Sequence, residues 1–385
     1  MQYRRFGKTN LQIPVFTLGA MRFPTKRQPD GTPGPKDGID NAIATIVKAV
    51  ELGINHIETA RGYGTSEELV GYAMPHLKRK QIIVTTKIGP TDTAAQFEKN
   101  LNESLTRMKC DWIDNLDIHG INNQALFDQT FKKDGCMEVV ERALKDGRIR
   151  HIGFSTHAPL DIILKTINTN AFESINVHYY FFNQRNRPAV DLAMQKDMGV
   201  LIISPTDKGG LLHKPSPELA ALVKPFTAIG INARWTMCQP GVTTLTLGAG
   251  TPQEYAEQIA VADGPAKLTG EETAVLANVD KTLRGKLGAT WCSNCWECLP
   301  CPESITIPEI LRMRNLTLGL GMGEFGKYRY NMFEQAGHWF PGNQATKCTD
   351  CGDCNPRCPE KLDIPKLIRE THEILVGDKG KRLWA

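Results

Sequence analysis

The stretch Ile54-Asn55-His56-Ile57-Glu58-Thr59-Ala60-Arg61-Gly62-Tyr63-Gly64-Thr65-Ser66-Glu67 starts as a short β-branched run and passes through a glycine-marked turn. It then enters a segment, Ser66 to Leu77, whose apolar residues recur at three- and four-residue steps. The first pattern predicts a strand and the last an amphipathic helix. The same alternation continues in both directions. Strands are predicted near Phe16-Thr17-Leu18 and at Gln81 to Lys87, Trp112 to His119, Arg150 to Ser155, Ser174 to Tyr179, Val200 to Ser204 and Thr243 to Leu247. Helices are predicted between them, among others at Asn41 to Leu52, Ala94 to Met108 and Met137 to Lys145. Strand and helix in alternation imply parallel βαβ units. Eight such units in about 285 residues match an α/β fold of the (β/α)8 TIM-barrel type, which takes roughly 250. An open doubly wound sheet is the rival topology, and the strand count favours the barrel.

The 385 residues are 41% hydrophobic and 23% charged, with 46 Lys and Arg against 42 Asp and Glu and a net charge of +4. That is ample apolar material for a packed core and too weak a field to draw nucleic acid or an anionic membrane. No apolar run approaches the roughly 20 residues of a bilayer span, and Met1 to Leu11 lacks the apolar stretch of a secretory leader. A soluble, cytoplasmic protein is expected, with neither nucleic acid nor membrane as partner. Of eleven cysteines, eight fall between Cys292 and Cys358. This shift in composition divides the chain into a barrel over 1–285 and a small, mostly helical second domain over 286–385.

Catalytic groups of such barrels stand at the C-terminal ends of the strands. Here four successive strand ends carry Glu58 with Tyr63, Lys87, His119, and Ser155-Thr156-His157. A carboxylate, a phenol, an ammonium and an imidazole at one mouth suit carbonyl reduction, where hydride arriving at carbon leaves an alkoxide that needs a positioned proton donor. A phenol of pKa about 10 is a poor donor unless tuned, and a nearby Lys87 ammonium is expected to pull Tyr63 toward neutrality. Glu58 would hold Lys87 charged, and His119 would orient the substrate oxygen.

Tyr3-Arg4-Arg5-Phe6-Gly7-Lys8-Thr9, Gly62-Tyr63-Gly64-Thr65-Ser66-Glu67 and Gly147-Arg148-Ile149-Arg150-His151-Ile152-Gly153-Phe154-Ser155 resemble the aldo-keto reductases, specifically the subgroup with a C-terminal ferredoxin-like extension. The resemblance implies a catalytic tetrad of Tyr63 (general acid), Lys87, His119 and Glu58, the last in place of the family's aspartate. It also implies an NAD(P)H cofactor, NADPH by family habit with NADH left open, and a small carbonyl or alcohol substrate. Ser155 and Asn176 would hold the nicotinamide carboxamide, Asn176 standing where the family usually has glutamine. Ser204, Lys208 and Gly209 resemble the loop over the pyrophosphate. Gly248, Gly250 and Thr251, opening a helix that contains Gln258, resemble the phosphate and adenosine site, where helix N-termini favour anions. Three departures stand out: Glu58 is one methylene long, Ile203 replaces a stacking aromatic ring, and no arginine occurs in the Gly250 to Gln258 neighbourhood.

The cysteines form two groups, Cys292-x2-Cys295-x2-Cys298-x2-Cys301-Pro302 and Cys348-x2-Cys351-x2-Cys354-x3-Cys358-Pro359. The second spacing is the bacterial ferredoxin run, in which the fourth cysteine serves the other cluster. By that geometry Cys292, Cys295, Cys298 and Cys358 would bind one [4Fe-4S] cluster and Cys348, Cys351, Cys354 and Cys301 another. Four-thiolate zinc is the competing reading; triplets followed by Cys-Pro favour iron and sulfur, with Cys301 weakest because its step is shortened to two residues. Clusters beside a hydride-transfer site suggest electron transfer with a ferredoxin-like carrier. A redox sensor that binds nucleotide without turnover is the alternative function. Gly321-Met322-Gly323-Glu324-Phe325-Gly326 satisfies G-x-G-x-x-G, yet it lies between the cysteine groups outside any βαβ unit and reads as a glycine-rich connection.

Overall fold

Eight parallel strands close into a barrel in this computed structural model, which describes residues 1–378. They are β1 (Phe16–Gly19), β2 (His56–Glu58), β3 (Ile83–Ile88), β4 (Ile113–Ile118), β5 (Ile149–Ser155), β6 (Ser174–Val177), β7 (Gly199–Ile202) and β8 (Thr244–Leu247). Every neighbouring pair is parallel, and β8 pairs with β1 to complete the ring. Each predicted strand is present within a few residues of its expected position, so the closed barrel prevails over the open sheet. A hairpin of Tyr3–Arg5 with Gln12–Pro14 precedes β1. Among the described residues no helix is long and apolar enough to cross a membrane.

The barrel interior is polar, and hydrogen bonds fill it. Thr17 Oγ1 joins His56 Nδ1 and Thr244 Oγ1, each at 2.8 Å, and His56 Nε2 joins Thr85 Oγ1 at 2.8 Å. Burial holds the His56 imidazole down to about 3, with the Lys87 charge adding to the effect, so this histidine is neutral. On the other side Ser174 Oγ donates to Asn115 Oδ1 (3.2 Å) and Asn115 Nδ2 to Asp117 Oδ1 (2.8 Å). β4 and β6 are not neighbours, so the Ser174–Asn115 bond crosses the interior past β5. Gly153 of β5 makes the crossing possible: a Cβ there would lie 2.3 Å from Asp117 Oδ1 and 2.2 Å from Ser174 Oγ.

The chain forms two compact units, and they do not follow chain order. The barrel unit is Met1–Pro205 with Asn232–Lys267; the second is Thr206–Ile231 with Leu268 onward. In the second unit, helices Gly270–Leu287, Ile307–Leu320, Gly323–Tyr330 and Ile364–Leu375 predominate. The first begins with a capping box: Thr269 Oγ1 accepts the Glu272 N–H while the Glu272 carboxylate accepts the Thr269 N–H. Ile307, Ile310, Leu311, Tyr330, Phe333, Phe340 and Ile368 form its core. Tyr330, Phe333 and Phe340 therefore serve packing. The G-x-G-x-x-G segment joins helix Ile307–Leu320 to helix Gly323–Tyr330, with no strand before it.

Two glycines separate propensity from packing. Gly71 lies in helix Ser66–Ala73, where a Cβ would stand 2.0 Å from the Arg107 carbonyl oxygen. Gly285, in helix Gly270–Leu287, has nothing within 4 Å of that point. Alanine gains about 1 kcal/mol in helix propensity, whereas forcing an atom against fixed backbone costs about 1–3 kcal/mol. Gly71→Ala is expected to lower the melting temperature by several degrees and Gly285→Ala to leave it equal or raise it; differential scanning fluorimetry of both variants is the measurement.

Candidate active site

Lys87 is at the centre of the mouth. Strand register sets β3 beside β2 and β4, pairing Glu58 with Thr85 and Lys87 with Asp117. Glu58 thus reaches Lys87 along the diagonal of the β2–β3 pair, a span suited to its extra methylene. The Glu58 carboxylate closes directly on the Lys87 ammonium. Lys87 Nζ also donates to the Thr59 carbonyl at 3.0 Å and to Tyr63 Oη at 3.2 Å. Tyr63 packs edge-on against His119, with ring centroids 5.6 Å apart and planes at 83°. The four residues expected to act together are together.

Asp117 is the residue that sequence reasoning missed. It was visible only as part of the fourth strand, yet it is fully buried, accepts from Asn115 Nδ2 (2.8 Å) and Asn176 Nδ2 (2.7 Å), and is the register partner of Lys87. Glu58 thus pairs with the Lys87 ammonium, and the Asp117 carboxylate acts on it electrostatically from the neighbouring strand, away from water. Burial disfavours every charge in this set. It pushes Lys87 down against the pull of Asp117, and it pushes Asp117 up against Lys87, Asn115 and Asn176.

The expected acidification of Tyr63 is absent. Burial raises the phenol above its ordinary value and the Asp117 carboxylate raises it further. Tyr63 is therefore a neutral hydrogen-bond partner of Lys87 in the free site.

The cofactor residues meet mixed outcomes. Ser155 is buried at the end of β5, where its Oγ accepts the Gly120 N–H at 3.1 Å. Asn176 is buried with its Nδ2 donated to Asp117, which leaves Oδ1 as the amide's acceptor toward a ligand. Ser204, half-buried, has a left-handed backbone with φ 52°. Lys208 and Gly209 are buried in the second unit. Gly248 and Gly250 follow β8, but the helix after Thr251 is short: a 3-10 turn, Pro252–Tyr255, precedes α-helix Ala256–Ile259. The Gly250 N–H is already donated to Glu254 Oε2 at 3.1 Å. Gln258 is buried with Oε1 unpartnered. Arg22, absent from the linear neighbourhood, is present in space: a Cβ on Gly248 would lie 2.9 Å from Arg22 Cδ, and one on Gly250 3.4 Å from the Arg22 carbonyl. Its distance in sequence hid it.

In the second unit the thiols stand near one another, Cys298 near Cys292 and Cys295 and also near Cys354. Burial pushes the Cys292 thiol up to about 11, with Cys295 and Cys358 adding to the shift. Burial also raises Cys354, with Cys348, Cys351 and Cys301 adding. Cys301, Cys348, Cys351 and Cys354 line one small cavity together with Ile305, Ile307 and Ile368. Among the described residues no three His, Cys, Asp or Glu side chains converge closely enough for a single metal ion.

A model described as the aldo/keto reductase family matches residues 16–280. An uncharacterized oxidoreductase, YqkF of Bacillus subtilis, is 26% identical over 318 residues, covering 73% of this chain and 97% of that protein. L-galactose dehydrogenase of Arabidopsis thaliana is 25% identical over 321 residues, covering 76% and 97%. Among solved structures, aldo-keto reductase AKR11C1 from Bacillus halodurans in its holo form superposes with TM-score 0.59 at 22% identity, covering 72% of this chain and 95% of that one. An aldo-keto reductase from Klebsiella pneumoniae in complex with NADPH gives TM-score 0.57 at 19% identity, covering 72% and 94%.

Asp117→Asn removes a negative charge that raises both Tyr63 and Lys87. Both groups then lose their proton more easily. The alkaline limb of the kcat/KM profile is expected to move to lower pH, by about one unit; a pH–rate series on wild type and variant checks the direction.

Proposed function

The chain belongs to the aldo/keto reductase family and is an NAD(P)H-dependent oxidoreductase, and from that premise we propose that Tyr63 is its proton donor in carbonyl reduction, with NADPH as reductant. The supporting observation is the 3.2 Å bond from Lys87 Nζ to a phenol that keeps its proton in the free site. Bound nicotinamide supplies the hydride. As negative charge grows on the carbonyl oxygen, Tyr63 Oη delivers its proton there, and the Lys87 ammonium 3.2 Å away stabilises the phenolate left behind. Glu58 and the Thr59 carbonyl hold that ammonium on its target. His119, edge-on to Tyr63, bonds the substrate oxygen and aims it.

NADPH is favoured by the chain's own cation at the phosphate segment, Arg22 beside Gly248 and Gly250, and by the unpartnered Gln258 Oε1 as an acceptor for adenosine. Ser155 and the Asn176 Oδ1 acceptor suit the carboxamide. Gly248, Gly250 and Thr251 suit the phosphates once Glu254 withdraws from Gly250. Ser204, Lys208 and Gly209 rest on the resemblance alone.

For the eight cysteines the reading is two [4Fe-4S] clusters, Cys292, Cys295, Cys298 and Cys358 for one and Cys301, Cys348, Cys351 and Cys354 for the other. Spacing supports it, and so does the cavity that Cys301, Cys348, Cys351 and Cys354 line together. Such clusters supply one-electron transfer, and the partner of matching chemistry is a ferredoxin-like carrier.

Tyr63→Phe is expected to lower kcat/KM at least 100-fold, of the order assigned to a positioned acid, with the NADPH dissociation constant within a few-fold; unchanged turnover removes Tyr63 from the role. Arg22→Ala should raise KM for NADPH about tenfold through loss of a charge-assisted bond and leave NADH less affected. Anaerobically purified protein is expected to carry about eight iron and eight sulfide per chain, and Cys354→Ser to lose one of two cluster signals in electron paramagnetic resonance. Stoichiometric zinc would instead support the competing assignment.

A further inference from the structure

Helix Ile307–Leu320 of the second unit is buried almost all round and carries Glu309, Arg312 and Arg314 inside it. Arg312 pairs with Glu309 at 2.8 Å. Arg314, only 6% exposed, donates from Nη1 to the Thr290 carbonyl and from Nη2 to Thr290 Oγ1, each at 3.1 Å, while its Nε is buried without a hydrogen-bond partner. Both of these acceptors are neutral. A guanidinium taken out of water against neutral acceptors is costly, and burial pulls Arg314 below the ordinary arginine range, against the charges of Glu370 and Cys292. Glu370 is 43% exposed and 4.0 Å from Lys366, so solvent and a second cation screen it.

Arg314 is tied to the surroundings of the first cysteine group. Thr290, its acceptor, is two residues before Cys292, and the adjacent Asn315 donates Nδ2 to the Cys292 carbonyl at 2.7 Å. The Cys292 sulfur accepts the Asn294 N–H at 3.4 Å. Asn294 has a left-handed backbone, φ 57°, and its Nδ2 donates to the Pro308 carbonyl at 2.7 Å. The helix that carries Arg314 thus also fixes the turn that presents this N–H to sulfur. Glu360, which also acts on Cys292, is exposed. The cations at the Cys348 group are of another kind. Arg369 is 46% exposed and paired with Asp350, and half-buried Arg357 lines the thiol cavity together with Glu303 and Asp353. Carboxylates and solvent offset those two charges, whereas Arg314 is away from water.

Resting on the two-cluster reading above, we propose that Arg314 sets the order in which the clusters are reduced: its buried charge makes the cluster on Cys292, Cys295, Cys298 and Cys358 the first to take an electron and the cluster on Cys301, Cys348, Cys351 and Cys354 the second. Four thiolates around a [4Fe-4S] core are anionic, and an added electron makes the assembly more so. A fixed cation and an N–H aimed at a ligating sulfur both favour the reduced form, and a buried cation does so with little screening. The step is a one-electron transfer in which a carrier of the ferredoxin class is oxidised and the core reduced, with no bond made or broken. An electron free to equilibrate between the clusters resides on the Cys292 group.

The experiment is a redox titration of the anaerobically purified full chain with dithionite and mediators, followed by electron paramagnetic resonance, in wild type, Arg314→Gln, Arg314→Lys and Cys354→Ser. Wild type is expected to show two one-electron steps, and the step that survives in Cys354→Ser to be the upper one. In Arg314→Gln the ratio of reduced to oxidised cluster at the wild-type upper midpoint falls about tenfold, equivalent to about 59 mV for one electron, and the lower step stays in place. Arg314→Lys, which keeps the charge, retains the greater part of that ratio. Survival of the lower step in Cys354→Ser, an upper step unmoved in Arg314→Gln, or an equal fall with lysine and glutamine overturns the inference and leaves both clusters in place. The Cys354→Ser titration leaves Arg314 untouched, so it decides the order even where Arg314→Gln fails to hold iron. Wild-type protein that carries zinc and takes up no electrons overturns the cluster reading and this inference together.

Discussion

A single buried ammonium, Lys87, is paired with Glu58 and has a second buried carboxylate, Asp117, as its register neighbour on β4. Glu58 approaches from β2 and Asp117 from β4. An uncompensated charge in such surroundings is expensive, and what makes the set tolerable is its hydrogen bonding. Thr59 takes one ammonium proton, Asn115 and Asn176 donate to Asp117, and Gly153 leaves the carboxylate its room. The phenol beside this set keeps its proton because the surroundings are poor in water and already negative.

Much of this was legible in the linear chain. Short β-branched runs at regular intervals identified all eight barrel strands, because the outward face of each strand is apolar even where its inward face carries buried polar groups. The tetrad could be read because each member ends or follows a strand, a position that topology alone turns toward the mouth. Asp117 escaped for a related reason. It lies two residues before His119, inside the strand, where a charged side chain is visible but its facing and its partners are not. Arg22 and Gly248 are separated by more than two hundred residues, and only closure of β8 onto β1 joins them. The spacing of the cysteines made it legible that Cys301 and the Cys348 to Cys354 run come together, and these four line one cavity.

The mouth has two chemically different halves. On the β2–β4 side the groups are charged and compete for one ammonium, so their protonation is collective. On the β5–β7 side two imidazoles and a phenol form a hydrogen-bonded row that ends on the Ile203 carbonyl. The stitches between the loops after β4 and β5 hold the halves in register.

The interleaving of the two compact units bears on synthesis of the chain. Thr206–Ile231 emerges from the ribosome in the middle of the barrel sequence, yet its companions begin only at Leu268. The nascent barrel must therefore carry that segment unaccompanied while the last strand, β8, is still being made. A gene fragment ending near residue 285 would encode all eight strands and most of helix Gly270–Leu287, yet lack helix Ile307–Leu320, whose Leu320 carbonyl accepts from Ser216 of that internal stretch. The cysteine-rich tail is thus no removable appendage, and loss of it by nonsense mutation would be felt within the body of the enzyme.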